Sequence, residues 1–195
     1  LELGQVRSSI ARRLGIEIPG AVESERHVDG IVDMMLDATQ RFDAPLTKDR
    51  LFGWHAALFP TGWSSLYKIT VAGWRKDTTG PMQVVSGALG QEKVHFQAPP
   101  AERIAQEMQG FLEWVENEKA LDLVLKAAIA HLWFITIHPF DDGNGRIARA
   151  ITDLILARSD NSSRRFYSLS AQIRLERKQY YDMLERTQKG HADIT

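Results

Sequence analysis

Histidine, two carboxylates, an asparagine between glycines and two arginines stand close together at His138, Asp141, Asp142, Gly143, Asn144, Gly145, Arg146 and Arg149. These are the groups needed to hold a metal–phosphate ligand beside a base. An imidazole is the side chain best matched to general-base work at neutral pH. A carboxylate offers hard oxygens to Mg²⁺, which is usually held by one or two carboxylates together with phosphate oxygens and waters. Asp141 and Asp142 are adjacent and point in different directions. One is expected to face a metal, and the other to be peripheral or to cap the following helix. Glycines at 143 and 145 let the backbone turn and approach a ligand closely.

The flanking pattern says how these groups are positioned. An almost continuous apolar run over 121–137 precedes them, and a helix with so little polar surface is buried on most sides. Pro139 disfavours α geometry at His138, so this helix ends at about Ile137 with His138 at its carboxyl edge. Beyond the glycines, Ile147, Ala150, Ile151, Leu154 and Ile155 recur at helical spacing, so a second helix opens at about Asn144 or Gly145. Free N–H groups and the positive dipole end at a helix start form an anion site. Arg146 and Arg149 fall in the first turn or so, where the dipole disfavours cations by roughly 0.3–1 kcal/mol each. A polyanion between them explains both. A surface pair of Arg149 with Asp153 would explain only one.

The rest of the chain supplies the scaffold. Helices are expected over 1–14, 23–42, 48–59, 101–118 and 168–189, with Thr47 as an N-cap and Ile173, Tyr180, Tyr181 and Leu184 on one face of the last. Between 63 and 100 glycines and prolines become frequent. Val84, Val85, Val94 and Phe96 there suggest a β-hairpin laid on the helical body with a partly free edge. The fold class is all-α with one β insertion. At 195 residues the chain suits a single domain. The net charge is −1, from 24 basic and 25 acidic residues, so neither nucleic acid nor an anionic membrane is indicated as the main partner. There is no cysteine, which removes disulfides and thiolate chemistry. No apolar run reaches the roughly 18 residues of a membrane span, and no signal peptide is visible. A cytoplasmic location fits these features.

The stretch from His138 to Arg149 resembles the signature of Fic-domain proteins, His-x-Phe-x-(Asp/Glu)-Gly-Asn-Gly-Arg-x-x-Arg, at every defined position. The resemblance extends to residues 46–59, the glycine-rich hairpin, Pro99-Pro100 with the helix after it, and Tyr180-Tyr181. It implies a Fic fold: a helical bundle around the motif loop and helix, with a β-hairpin flap at about 80–97 and a core of about 46–190 preceded by N-terminal helices over 1–42. It also implies transfer of AMP from ATP to a Ser, Thr or Tyr hydroxyl of a target protein.

In that scheme His138 deprotonates the hydroxyl and Asp142 holds Mg²⁺. Gly143, Asn144 and Gly145 form the anion hole, with Asn144 orienting the α-phosphate. Arg146 and Arg149 bind the outer phosphates, so that His138, Asn144 and Arg146 are the catalytic set. The flap residues Ser86, Gly87 and Ala88 line the nucleotide site, Tyr180 and Tyr181 wall the adenine pocket, and Gln188 adds a polar contact. The target docks along the flap, and self-modification and a homodimer stay open. Many relatives of this type carry a (Ser/Thr)-x-x-x-Glu-(Gly/Asn) inhibitory helix that pairs with the second motif arginine. No Ser or Thr here begins that pattern, so such a helix is expected upstream or from a separate protein.

Three other readings compete: transfer of a different phosphate-containing group on the same fold, a phosphohydrolase with a metal on His131, His138, Asp141 and Asp142, and a non-enzymatic nucleotide-binding module with a basic face of Arg164, Arg165, Arg174 and Arg177.

Overall fold

The apolar run before the motif becomes α5 (Leu123–Ile137). Asp122 opens it by accepting from the N–H groups of Val124 (2.9 Å) and Leu125 (3.3 Å), which satisfies two donors that a helix start leaves without partners. The helix packs chiefly on α6 (Asn144–Asp160), which lies against the same core. In this computed structural model residues 2–78, 80–87, 91–164 and 168–189 are described.

Around the α5–α6 pair the described chain runs α1 (Leu3–Arg13), α2 (Arg26–Gln40), α3 (Lys48–Leu58), β1 (Trp63–Ser64), β2 (Tyr67–Lys68), β3 (Gln83–Ser86), β4 (Lys93–Gln97), α4 (Ala101–Asn117), α5, α6, α7 (Leu169–Leu175) and α8 (Arg177–Lys189). The expected class is borne out: a helical body carrying two small antiparallel hairpins, β1–β2 and β3–β4. Thr47 caps α3 as its sequence suggests, its hydroxyl accepting from the Arg50 N–H at 3.2 Å. Phe111, Phe134, Phe140, Ile104, Met108, Ile147 and Ile151 are fully buried at the centre. Burial of each such side chain contributes about 1.5–3 kcal/mol. Helix α2 crosses α3 at Gly30, where a Cβ would lie 1.7 Å from the Ala57 carbonyl oxygen, so only glycine permits that approach. Helix α1 is pinned to α2 through Asp29, which accepts from Ser9 at 2.6 Å and pairs with Arg13 at 3.2 Å.

Two expectations change. The stretch over 168–189 is two helices with a break at Glu176 (φ −107°, ψ 31°), after which α8 is tied to β4 and α5 by side-chain bonds from Glu185, Tyr180 and Gln188. Neither α7 nor α8 buries a residue fully: Leu184 packs against the edge of the core, while Tyr181 is 52% exposed. The first turn of α5 is also open, with Val124 and Leu125 each 59% exposed. Burial of that helix begins at Lys126, whose ammonium donates to the Glu118 carbonyl at 2.7 Å.

Candidate active site

Helix α5 stops at His138, which takes the left-handed conformation (φ 50°, ψ 59°). That conformation costs a non-glycine residue roughly 1–2 kcal/mol, so its surroundings must enforce it. They do so from three sides. The His138 N–H still bonds the Phe134 carbonyl at 3.0 Å, and its imidazole Nδ1 lies 3.2 Å from the Ile135 carbonyl. Its own carbonyl accepts from Arg75 Nε at 2.8 Å, while the Arg75 N–H bonds the Pro139 carbonyl at 2.9 Å. A carbonyl can only accept, so Nδ1 carries the proton and Nε2 keeps the lone pair. Burial lowers the His138 pKa; the hydrogen bond to the Ile135 carbonyl opposes this, and the nearby Arg75 charge adds a smaller lowering. The ring is therefore neutral and basic at Nε2 at physiological pH.

Arg75 escaped the sequence reading. It is 2% exposed and joins three segments: the His138-Pro139 turn, Asp77 through an ion pair, and the Pro99 carbonyl at 2.5 Å. Asp77 in turn accepts from the Ala101 N–H at 2.7 Å and so caps α4. His55 was missed as well. It is 0% exposed and stacks on Phe140 with ring centroids 4.3 Å apart. Its Nδ1 accepts from the Ala72 N–H and its Nε2 donates to the Asp142 carbonyl, both at 3.2 Å, and burial lowers its pKa. A lone arginine in a loop and a histidine on a helix carry no local sign of such burial.

Phe140 anchors the loop as an apolar residue should, with no exposure. Asn144 does not behave as the sequence suggests. Its Oδ1 accepts from the Phe140 N–H at 3.0 Å and its Nδ2 donates to the Phe140 carbonyl at 2.8 Å. The side-chain amide is turned into the loop and not toward a phosphate. The Gly143 N–H is also engaged, donating to Asp142 Oδ1 at 2.6 Å. Since the Gly143 carbonyl accepts from Arg146 and Ile147, the donors that precede the helical ladder are the N–H groups of Asn144 and Gly145. The donors left at this helix start are therefore these two backbone N–H groups. Gly143 itself adopts φ 84°, and a Cβ there would lie 2.9 Å from Phe59 Cε2.

The two carboxylates differ in their surroundings. Asp141 accepts from the Thr70 N–H at 2.8 Å, a structural bond. Asp142 is 46% exposed, accepts from Ser64 Oγ at 2.5 Å and lies 3.5 Å from Arg146. Among the described residues no three carboxylates or histidines gather as a metal cage. A Mg²⁺ carried largely by phosphate oxygens needs no cage, and Asp142 beside the helix start is a donor of the fitting kind.

A cleft of about 570 Å³ opens beside His138, within the range of small-molecule sites. The structure brings many of the expected residues to it: Ser86, His138, Gly145, Arg149, Tyr180, Tyr181 and Gln188 all line it. Arg146 is not among the lining residues; its guanidinium lies over the Phe59 ring at 4.8 Å, and burial lowers its pKa. Asp142 lies instead on a neighbouring depression with Ser64 and Thr70. Gly87 ends β3 at φ 112°, and Ala88 lies outside the described residues.

Tyr180 is held by a buried relay. The Thr152 hydroxyl donates to the Ala148 carbonyl, so it accepts from His131 Nδ1–H at 3.0 Å, and His131 Nε2 accepts from the Tyr180 hydroxyl at 2.8 Å. Burial, with Arg149 nearby, pushes the His131 pKa down to about 4, and burial pushes Tyr180 up to about 12. His131 is thus bonded at both nitrogens, which removes it as a metal ligand and with it the phosphohydrolase reading.

The helical scaffold, the strained histidine and the loop leading into a helix start frame one cleft, lined on other sides by Tyr180 and Tyr181 and by the β3–β4 hairpin. The profile of the Fic/DOC family matches residues 45–156, and the chain belongs to that family. It is 29% identical over 161 residues to protein adenylyltransferase fic-1 of Caenorhabditis briggsae, covering 82% of this chain and 29% of that protein. It is 32% identical over 133 residues to the uridine 5′-monophosphate transferase of Xanthomonas campestris, covering 59% of this chain and 22% of that one. The crystal structure of a Fic family protein from Desulfovibrio desulfuricans covers all of the chain (100%) at TM-score 0.68 and 25% identity, and the chain spans 54% of it.

Proposed function

We propose that this chain is a protein adenylyltransferase. It transfers AMP from ATP to a Ser, Thr or Tyr hydroxyl of a target protein and releases pyrophosphate. The observation that carries the reading is the state of His138: Nδ1 bound to a carbonyl, Nε2 basic, and the ring at a cleft shared with Gly145, Arg149 and Tyr180. In the step, the target hydroxyl gives its proton to His138 Nε2 and its oxygen bonds to the α-phosphorus. The bond from that phosphorus to the bridging oxygen breaks, and pyrophosphate leaves with the electron pair. Catalysis of this kind rests on positioning and charge neutralisation. The N–H groups of Asn144 and Gly145 face the phosphate, Arg149 and Arg146 neutralise the outer phosphates, and Tyr180, Tyr181 and Gln188 hold the base. Mg²⁺ at Asp142 would supply further neutralisation of the phosphates. Strand β3 pairs only with β4 among the described residues, so its other edge suits an extended target segment added as a strand. No described helix is long and apolar enough to cross a membrane, and an ATP-using reaction fits the cytoplasm.

The likeness to a uridine 5′-monophosphate transferase favours one second reading, transfer of a different nucleotide. A single experiment tests both. The chain and a His138→Ala variant are incubated with a lysate and ATP or UTP labelled at the α-phosphate. Label from ATP on a protein band with the unsubstituted chain alone is the expected result. Label from UTP alone replaces adenylylation by uridylylation, and equal labelling by both chains removes His138 as the base.

A further inference from the structure

The flap carries a hydrogen-bonded relay that the reaction above does not use. Ser86 Oγ lies 2.6 Å from His95 Nε2, and His95 Nδ1 lies 2.7 Å from Glu185 Oε2. A carboxylate only accepts, so His95 Nδ1 carries the proton, Nε2 is the acceptor, and the Ser86 hydroxyl donates to it. Lys189 (2.5 Å) and Lys93 (3.6 Å) flank Glu185. The bond to Lys189, then that to His95, pulls the Glu185 pKa down to about 2, so the acid is ionised at neutral pH. Hydroxyl, imidazole and oriented carboxylate are the arrangement that activates a serine for nucleophilic attack. It is assembled from three elements, β3, β4 and α8, and all three side chains line the same cleft as His138, Gly145 and Arg149.

We infer that Ser86 is itself an acceptor of the nucleotidyl group, with His95 as its own base and Glu185 orienting that base. The inference rests on the adenylyltransferase reading and names a further substrate hydroxyl for that site. The Ser86 proton passes to His95 Nε2, and the imidazolium is stabilised by Glu185. Ser86 Oγ bonds to the α-phosphorus of ATP, the bond to the bridging oxygen breaks, and pyrophosphate leaves. The product is an adenylyl ester on the cleft wall. A nucleotide tethered there occupies the cleft that the next ATP needs, so the modification limits further turnover.

The test uses the full chain incubated with ATP and Mg²⁺ in a lysate, followed by mass mapping of the tryptic peptide between Lys76 and Lys93 and counting of label on all other proteins in the same tube. The expected result is AMP on Ser86. His95→Gln should lower that label by about 100-fold relative to label on the other proteins, the scale of losing a general base. Glu185→Gln should lower it in the same direction. Unlabelled Ser86 among labelled lysate proteins overturns this inference alone. So does label on Thr78 in place of Ser86, or Ser86 label undiminished by His95→Gln. Equal loss of both labels in His95→Gln also overturns it, because the relay is then only a strut between flap and α8. Label on no protein at all sinks the adenylyltransferase reading and this inference with it.

Discussion

Asn144→Ala separates two roles for the motif asparagine. Both polar groups of its side chain bond the Phe140 backbone, at 3.0 and 2.8 Å, and Asn144 is 2% and Phe140 0% exposed. Alanine leaves a buried N–H and a buried carbonyl without their partner, and water cannot replace it without opening the core. Each such group costs about 1–3 kcal/mol, so the variant should lose about 3 kcal/mol or more. In a chain of this size that lowers Tm by roughly 6–12 °C. Urea unfolding should show a lower midpoint with an unchanged slope, the mark of lost stability without a change in the surface exposed. Label transfer should fall too, even at temperatures where the variant is folded, because the loop that fixes His138 is loosened. Asn144→Asp keeps the acceptor but sets an anion against the Phe140 carbonyl, and should cost at least as much. If Asn144→Ala changes stability by less than about 0.5 kcal/mol while label transfer is lost, the amide acts on substrate and the loop-closing role is refuted.

Two further perturbations follow from the same geometry. His131 is held neutral with a pKa of about 4 against an unfolded value near 6.5, so the unfolded chain binds the extra proton between those pH values. Stability is then complete above about pH 6.5 and falls by up to roughly 3 kcal/mol as pH drops toward 4. Urea midpoints across that window check it; an unchanged slope in His131→Gln refutes the assignment. The carboxylates Asp29 and Asp37, whose pKa values are lowered in the fold, contribute their stability in full throughout that window and lose it only as pH falls below their unfolded value near 3.8. Arg75→Met removes the donor to the His138 and Pro99 carbonyls and leaves Asp77 without its cation, which should cost about 3 kcal/mol. A loss below about 1 kcal/mol in thermal unfolding would mean that His138 holds its left-handed turn without this clamp.

The sequence alone determined the α5–loop–α6 segment. The apolar run, the proline after His138 and the glycines at 143 and 145 dictate where helices stop and start, because backbone sterics act between neighbours. The cap at Thr47, the β-hairpin from its glycines, prolines and β-branched residues, and the family signature were legible for the same local reason.

Tertiary structure decided everything that depends on what arrives from elsewhere in the chain. Arg75 reaches His138 across 63 positions and His55 reaches Asp142 across 87. His95 meets Glu185 across 90. No spacing rule predicts such pairs, since burial and hydrogen-bond partners are properties of the packed core. The same physics turned the Asn144 amide toward Phe140: in a water-excluded loop, two backbone groups must be satisfied before a side chain is left over for a ligand. Pattern thus located the histidine, and packing fixed its tautomer, its strain and its company in the cleft.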